Sequence, residues 1–387
     1  MSGASGLPCR ARIIDATALP AYDLGSDHPF ARDRQRPLFD LLHRAALVRE
    51  AHWLPATPAT DAELQLAHDP DYLEVVRELS AANPDAAQVQ RGWRHGLGNG
   101  DNPIAPGQFA AAAAIAGATL ACVRAVMTGV CDHAFHPAGG LHHAMRRMAS
   151  GFCLINDLVV GIREARRLGA GRVLYVDFDV HHGDGVEAAF QADPDVITVS
   201  FHESPEVRFP GTGYVHDRGR GAALGTKINV PLASGTGDES WLACVRAVLP
   251  AAVARFRPAL LVSQHGCDPH RSDPLADLQL TTQAMAEAAA LTHALAHEHC
   301  GGRWVATGGG GYRPYHVIPR VWGMVWAILS GQQVPRDLDP GWIAAWEPRA
   351  GEPLPRTWHD APAANPRAAT AARINAQTLY DLARLQA

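Results

Sequence analysis

Five continuous apolar runs alternate with helical patterns along the chain, and this alternation constrains the fold more than any other feature of the sequence. The runs are ARIID, RVLYVDFDV, DVITVSFH, ALLVSQHG and RWVATGGG, at residues 11–15, 172–180, 195–202, 259–266 and 303–310. Strands that are buried on both faces of a parallel sheet are apolar throughout, without alternation of polar and apolar residues. The sequence therefore predicts an α/β fold. The expected helices include residues 34–50, 107–128, 155–168, 238–256, 281–299 and 314–330.

No interior linker or internal repeat interrupts this alternation, so we expect a single domain over residues 1–387. The motifs lie within a core of about residues 11–330. Residues 331–387 are predicted to form a C-terminal extension that packs on this core. Its segment 351–365 is rich in Pro and Ala and is expected to follow the surface before a last short helix.

Charge and composition limit the partners that we expect. The net charge is −5 and the sequence pI is about 6.5, which argues against nucleic-acid binding because that function usually leaves a basic surface. The longest apolar run, residues 109–123, is shorter than the ~20 residues that span a bilayer, so a buried Ala-rich helix and no membrane association are expected. Scattered cysteines without CxxC spacing, and an N-terminal stretch unlike a signal peptide, predict a cytoplasmic location.

Carboxylates and histidines follow the second apolar run, in DFDVHHGDG. In parallel sheets, sites gather where strands end. Side chains alternate along a strand, so Asp177, Asp179 and His181 share one side. Asp179 and His181 offer oxygen and nitrogen ligands of the kind that zinc accepts, and Asp268, just past another strand end, is a candidate third ligand. Alternatively, Asp179 and His181 cap the next helix or form hydrogen bonds with the backbone of the turn.

A tandem pair, His142 and His143, follows two glycines in HPAGGLHHA. Adjacent histidines can act as an acid and a base when different neighbours separate their pKa values. Asp177 and Asp184 are the candidate partners, each orienting one imidazole ring. A surface His–His pair without such carboxylates is usually inert.

The segment GGGGY follows the last apolar run and ends at Tyr312. It lacks the G-K-[ST] of a P-loop and Pro314 follows closely, so phosphate binding is not expected. The glycines allow close backbone approach to a pocket, and the Tyr312 hydroxyl can donate to a developing oxyanion. A tyrosine that only packs after a flexible turn is the alternative. Taken together, the three motifs meet the requirements of metal-assisted amide hydrolysis.

The blocks HPAGGLHHA, SGFCLINDL, YVDFDVHHGDGVEAAF, FPGTG and GGGGY resemble the signature of the zinc-dependent histone deacetylase family, in its order and spacing. The resemblance covers about residues 11–330. The segment GLGNGDNPIAPGQF is most similar to the bacterial members called acetoin utilisation proteins. The resemblance implies a three-layer arginase/deacetylase fold with an eight-stranded, mostly parallel sheet between helices.

The resemblance also implies roles for individual residues. Zinc would be held by Asp179, His181 and Asp268, with Fe²⁺ an alternative because no thiolate is present. His142 and His143 would form the acid/base pair, oriented by Asp177 and Asp184, with His143 the direct proton shuttle and Tyr312 the oxyanion donor. A structural potassium ion would bind Asp177, Ser200, Phe201 and the carbonyls of Asp179 and His181. The substrate contacts would be Asp101, Gly151, Phe152, Phe209, Leu275 and Gly310, and Arg34 would line an internal channel for acetate.

The substrate expected from the resemblance is N-ε-acetyl-lysine in an acetylated protein or peptide. Polyamine-selective relatives place a glutamate where this chain has Leu275, which argues against acetylpolyamines, although a small-molecule amidohydrolase stays the main alternative. An arginase-like two-metal ureohydrolase needs further carboxylates near the last strand, where GCDPH supplies one. A catalytically silent acetyl-lysine binder is disfavoured because Tyr312 and the histidines are intact.

Overall fold

A central sheet of seven parallel strands organises the computed structural model, which describes residues 10–30 and 34–386. The strands are β1 (Ala11–Ile13), β2 (His133–His136), β3 (Val173–Asp177), β4 (Val196–Glu203), β5 (Lys227–Leu232), β6 (Leu260–Gln264) and β7 (Trp304–Thr307). Their order across the sheet is β1-β2-β7-β6-β3-β4-β5. The α/β class and the parallel sheet predicted from the apolar runs are therefore confirmed.

Twelve α-helices are found within the described residues. They are α1 (Arg36–Arg44), α2 (Asp61–Leu64), α3 (Pro70–Leu79), α4 (Ala86–Trp93), α5 (Gln108–Met127), α6 (Asp157–Arg167), α7 (Asp184–Phe190), α8 (Asp238–Phe256), α9 (Thr282–His299), α10 (Ile318–Leu329), α11 (Pro340–Ala350) and α12 (Ala368–Gln386). The six expected helices all form, although α1 ends at Arg44 rather than at residue 50.

The sheet separates two apolar cores, because successive side chains of each strand point to opposite faces. On β3, Leu174 and Val176 pack with α8, α9 and α10 on one face, whereas Val173 and Tyr175 pack with α5 and α6 on the other. Helices on both faces of the sheet give the three layers that the resemblance implied.

The sheet has seven strands in the described part of the chain, rather than the expected eight. All five apolar runs form strands, and β2 and β5 are the two that the pattern missed. Strand β2 has the sequence HAFH and β5 the sequence KINVPL. The histidines, the lysine and the proline interrupt the apolar run by which a buried strand is recognised.

Helix α5 is the Ala-rich helix predicted from residues 109–123. It is 20 residues long and apolar enough to cross a membrane by length and composition, but 78% of its most apolar window is buried. It packs against α6 and β2. We therefore assign α5 to the core, as expected.

Residues beyond 330 contact the core at several places. Helix α12 lies on β5 and α8, and Asn375 on α12 accepts a hydrogen bond from the Ala233 backbone. The last helix has 19 residues and is not short, as had been expected. The division into a single domain over 1–387 stays a prediction, and residues 1–9 lie outside the described part of the chain.

The register of the sheet brings four strand ends to one edge. Asp177 at the end of β3 is aligned with Ser200 on β4 and with Gln264 on β6. Gln264 is aligned with Thr307 on β7, which in turn is aligned with His136 on β2. The loops that follow β2, β3, β6 and β7 therefore meet, and these loops carry the motifs predicted to be functional.

Candidate active site

The segment after β3 is folded around the carboxylate of Asp177, which is fully buried. Its Oδ1 accepts a hydrogen bond from the Asp179 backbone N–H at 3.1 Å, and its Oδ2 accepts one from the Tyr175 hydroxyl at 2.6 Å. His142 Nδ1 lies 2.7 Å from the same Oδ2. Asp177 therefore shapes its own loop and also orients a ring from the loop after β2.

Asp179, His181 and Asp268 converge as the sequence predicted, and their ligand atoms all lie within 4.8 Å of one another. His181 Nδ1 is 3.1 Å from Asp179 Oδ1 and 3.2 Å from Asp268 Oδ2. Each carboxylate is also held from behind: Gln264 donates to Asp179 Oδ2 at 2.7 Å, and the Val180 N–H donates to Asp268 Oδ1 at 3.0 Å.

A divalent cation fits this group of side chains. Asp268 Oδ2 is buried and, although His181 Nδ1 lies 3.2 Å away, makes no well-oriented hydrogen bond among the described residues, which is costly unless a cation binds it. Burial, and then the neighbouring Asp179 carboxylate, raise the pKa of Asp268 to about 7. A methyl group at Gly310 would overlap the carboxylates of Asp268 and Asp179. Two adjacent buried carboxylates and an imidazole therefore face a space that only glycine leaves open.

His142 and His143 form a continuous hydrogen-bonded relay with two carboxylates. His142 Nε2 is 3.0 Å from His143 Nε2, and His143 Nδ1 is 2.7 Å from Asp184 Oδ1. Burial opposes protonation of His142, but the charges of Asp177 and Asp179 outweigh it and raise its pKa to about 9. Burial and the neighbouring His142 lower the pKa of His143 to about 4. The two pKa values are separated by different neighbours, as an acid/base pair requires.

The loop that carries this pair is held by Asn156, which sequence reasoning missed. Its side-chain N–H groups donate to the carbonyls of His142 and Ala144 at 3.1 and 3.0 Å. Its Oδ1 accepts from the Val159 N–H and so caps α6. The next residue, Asp157, accepts from the Leu141 N–H at 2.8 Å. The adjacent Asn–Asp pair before an apolar helical run was the only sequence signal for this support.

Tyr312 lies beside the metal-ligand group, on the loop after β7. Its backbone N–H donates to Asp273 Oδ2 at 2.9 Å, and its ring meets that of Phe152 edge-on at 5.9 Å between centroids. Burial, and then Asp268 and Asp179, raise the pKa of the Tyr312 hydroxyl, so it carries its proton at neutral pH. Asp273, also missed from the sequence, is buried and anchors the loop.

A pocket leads from the surface to these groups. Its lining includes the predicted substrate contacts Asp101, Gly151, Phe152, Phe209 and Leu275, together with His143, His181, Arg208 and Tyr312. The Phe209 ring is 44% exposed and lies 5.0 Å from the His143 ring, edge to face. Gly151 has a φ of +50°, and a methyl group there would overlap the His143 ring. Exposed residues such as Asp101 and buried residues such as His143 therefore line the same pocket.

Arg34 is buried next to this site, with 1% of its surface exposed. All three guanidinium nitrogens are without a hydrogen-bond partner among the described residues. The group lies 3.8 Å from the centroid of the Phe30 ring, and Phe30 also lines the inner pocket that holds His142 and Tyr312. A buried, unpartnered cation close to the pocket fits an anionic ligand.

The structure thus brings together the predicted acid/base pair, metal ligands, tyrosine and pocket residues. Ser200 and Phe201 lie on β4 beside Asp177, where the predicted potassium site would fall. The individual roles of these residues stay predictions.

Comparisons with known proteins show the family to which the chain is similar. Residues 28–329, more than half of the chain, match the family described as Histone deacetylase domain. The acetoin utilization protein AcuC of Bacillus subtilis (strain 168) is 38% identical over 348 residues, which cover 90% of this chain and 89% of that protein. The protein of the same name from Staphylococcus aureus (strain MRSA252) is 34% identical over 340 residues, 88% and 87% of the two chains.

Solved structures give the same result. The crystal structure of an HDAC homolog from Aquifex aeolicus aligns with a TM-score of 0.82 and 29% sequence identity, and covers 98% of this chain and 100% of that chain. A crystal structure of an HDAC homolog complexed with SAHA gives the same values. The family match, the identities and the shared fold together show that this chain belongs to the histone deacetylase family.

Proposed function

We propose that the protein is a metal-dependent hydrolase that removes acetyl groups from N-ε-acetyl-lysine in proteins. The observation that carries the proposal is the relay from Asp184 through His143 and His142 to Asp177, which lies beside the convergent metal ligands. Family membership supports deacetylation as the reaction class. The compartment that we propose is the cytoplasm, and the partner is an acetylated protein or peptide.

Asp179, His181 and Asp268 are the residues that would hold the catalytic metal ion. Zinc is the ion that we propose, and Fe²⁺ is the alternative, because both accept imidazole and carboxylate ligands. When bound, the ion supplies Lewis-acid activation of a water molecule and of the acyl carbonyl.

The two histidines have different roles in the proposed reaction. With a pKa of about 4, His143 is neutral at pH 7, and with its Nδ1 proton facing Asp184 its Nε2 lone pair accepts a hydrogen bond from charged His142. A water molecule that displaces this contact would give its proton to the same nitrogen. The same nitrogen then returns the proton to the leaving lysine amine. His142, with a pKa of about 9, is charged at pH 7 and stabilises the negative charge that develops beside it.

Tyr312 completes the site as a hydrogen-bond donor. Its hydroxyl keeps its proton at neutral pH and can therefore donate to the acetyl oxygen as that oxygen becomes negative. The backbone bond to Asp273 and the edge of the Phe152 ring fix the orientation of the loop and of the ring. Such preorganised donors act most strongly where water is excluded.

The pocket residues suit an acetylated lysine side chain. Phe152 and Phe209 offer apolar surface for the aliphatic stem, and Gly151 keeps the passage narrow but open. At the rim, the exposed Asp101 would accept hydrogen bonds from substrate backbone amides, and the partly exposed Leu275 would contact the peptide. Gly310, at the floor, leaves room for the acetyl group beside the metal ligands.

Two further ions belong to the proposal. The unpartnered Arg34 guanidinium would attract the acetate product into the interior next to Phe30. A structural potassium ion would lie near Asp177 and Ser200, with Phe201 as the next residue on β4. Among the described residues, the carbonyls of Asp179 and His181 accept no hydrogen bond, and such oxygens suit K⁺.

A comparison of two substrates tests this proposal. Metal-defined protein is assayed on an acetyl-lysine peptide and on acetylputrescine, with a hydroxamate chelator as control. We expect a higher kcat/KM for the peptide and inhibition by the chelator. Faster turnover of acetylputrescine would instead assign the protein to small-molecule amidohydrolases.

A further inference from the structure

A second group of histidines lies at the amino-terminal edge of the sheet, opposite the candidate active site. His133 is the first residue of β2, and His293 and His297 are one turn apart on α9. Their three Nε2 atoms form an equilateral triangle with sides of 3.1 Å. His133 and His293 are buried and His297 is half-buried. None of these side chains belongs to the acetyl-lysine site.

Hydrogen bonding alone cannot satisfy this triangle. A ring nitrogen carries either one proton or one lone pair in the ring plane, so the same Nε2 cannot donate to one neighbour and accept from another. Three hydrogen bonds around the triangle would require that of at least one nitrogen, so at most two of the three contacts can be hydrogen bonds. Burial disfavours charged imidazolium rings, so in the third contact two like groups, either two N–H groups or two lone pairs, face each other, and a cation bound by three lone pairs would remove this conflict.

The geometry suits a transition-metal ion. At a metal–nitrogen distance of about 2.0–2.1 Å, nitrogens in a tetrahedral site are about 3.3–3.4 Å apart, and those at right angles are about 2.9 Å apart. The observed 3.1 Å falls between these values. The three ring planes are inclined to one another by 70°, 84° and 89°, so the nitrogens approach a common point from three directions.

Local packing fixes the rings in this arrangement. Histidines at i and i+4 share one face of a helix, which explains the convergence of His293 and His297. Strand β7 starts beside β2, and its Trp304 is aligned with His133. The Trp304 ring lies 5.8 Å from the His133 ring and 5.9 Å from the His293 ring. Trp304 Nε1 donates to Ser263 Oγ at 2.7 Å, so the indole is itself anchored.

We propose that His133, His293 and His297 bind a second divalent transition-metal ion, with zinc as the expected ion. Neutral imidazole is a preferred ligand of zinc, and a set of three leaves a fourth position for water or another donor. The ion would tie the carboxyl-terminal part of α9 to the start of β2. Because this ion would lie at the edge of the sheet opposite the catalytic groups, we propose a structural role for it.

Zinc content tests the proposal directly. The protein is stripped with a chelator, equilibrated with zinc and desalted, and the zinc bound per chain is measured by elemental analysis. We expect about two ions per chain in the unchanged protein and about one in His297→Ala. His299→Ala is the matched control, because His299 lies on the same helix outside the triangle, and it should keep about two. Equal zinc content in the two variants would overturn the proposal.

Two further variants separate loss of the proposed site from a folding defect and from loss of the catalytic metal. His297→Gln replaces the ring by a neutral side chain of moderate size and guards against a folding defect of the alanine variant; it should also lose one ion. Asp268→Ala removes a proposed catalytic ligand and should keep the ion of the histidine triangle, whether or not the protein deacetylates lysine. In that background zinc should raise the Tm, because it binds the folded state. A Tm unmoved by zinc there would count against the site.

Discussion

His142 Nε2 lies 3.0 Å from His143 Nε2, and the opposite nitrogens of the two rings face different carboxylates, Asp177 and Asp184. This relationship separates two identical side chains into a charged ring and a neutral ring at pH 7. The pKa of His142 is about 9 and that of His143 about 4. The division of roles that we propose follows from this separation.

The pH dependence of kcat/KM should reflect the protonation of His142 and His143. Below about pH 4 His143 is protonated and cannot accept a proton, and above about pH 9 His142 loses its charge. We therefore expect a bell-shaped plot of kcat/KM against pH, with an acidic limb near pH 4 and a basic limb near pH 9. Asp177→Asn removes the negative charge that favours protonated His142, so the basic limb should move to lower pH. The exposed Asp71→Asn is the control and should leave it in place. A basic limb that does not move in Asp177→Asn would contradict the assignment.

Replacing Tyr312 by phenylalanine removes one hydroxyl and keeps the ring that packs on Phe152. If this hydroxyl donates to the developing oxyanion, kcat should fall about 10²–10³-fold with an acetyl-lysine peptide. Tyr315→Phe is the matched control, since Tyr315 stacks on Trp346 and takes no part in the proposed site. An unchanged kcat in Tyr312→Phe would remove this residue from the mechanism.

Asn156→Ala should lower both stability and activity. The variant loses two bonds to the loop of His142 and the cap of α6, so the free energy of unfolding should fall by about 1–3 kcal/mol. Thr281→Ala is the control, because it removes the cap of a different helix, α9. It should lower the free energy of unfolding by about 1 kcal/mol. Denaturant unfolding and steady-state kinetics separate the two variants. Asn156→Ala should lower kcat and Thr281→Ala should not; equal kcat values would mean that Asn156 only stabilises the fold.

Gly310→Ala should abolish tight metal binding at the catalytic group. The added methyl group would overlap the carboxylates of Asp268 and Asp179, so these oxygens could not converge. Gly171→Ala is the control, because a methyl group there meets nothing within 4 Å. Zinc affinity is measured by competition with a chromogenic chelator, with both variants made in the His297→Gln background so that zinc bound by the histidine triangle does not contribute. Equal affinities in the two variants would show that the ligands do not meet beside Gly310.

Much of the fold followed from the sequence because buried parallel strands leave continuous apolar runs. Strand β2 escaped because histidines begin and end it, and β5 because Lys227 and Pro231 lie within it. Lys227 is nonetheless buried, since its Nζ donates to the Asp193 carbonyl and to Thr226 Oγ1. Contacts between segments distant in sequence, such as that of Lys227 with Asp193, cannot be predicted from the local sequence pattern.

The same reason explains which site residues could be predicted. Asp179 and His181 were predicted from alternation along a strand expected to reach residue 180, although β3 ends at Asp177 and both residues lie in the loop after it. Asp268 was predicted from its place after another strand. Asp273 was missed because its role depends on a hydrogen bond to the Tyr312 backbone, 39 residues away. Asn156 was missed because its carbonyl partners, His142 and Ala144, lie on a loop that only the folded chain brings close.

A metal ion held by Asp179, His181 and Asp268 is the central element of the proposed mechanism. Its most direct test is turnover of an acetyl-lysine peptide as zinc is returned to metal-free protein. We expect no measurable turnover without metal, recovery as zinc is added, and no recovery in Asp268→Ala. Full turnover by the metal-free protein, or equal recovery in Asp268→Ala, would contradict the account.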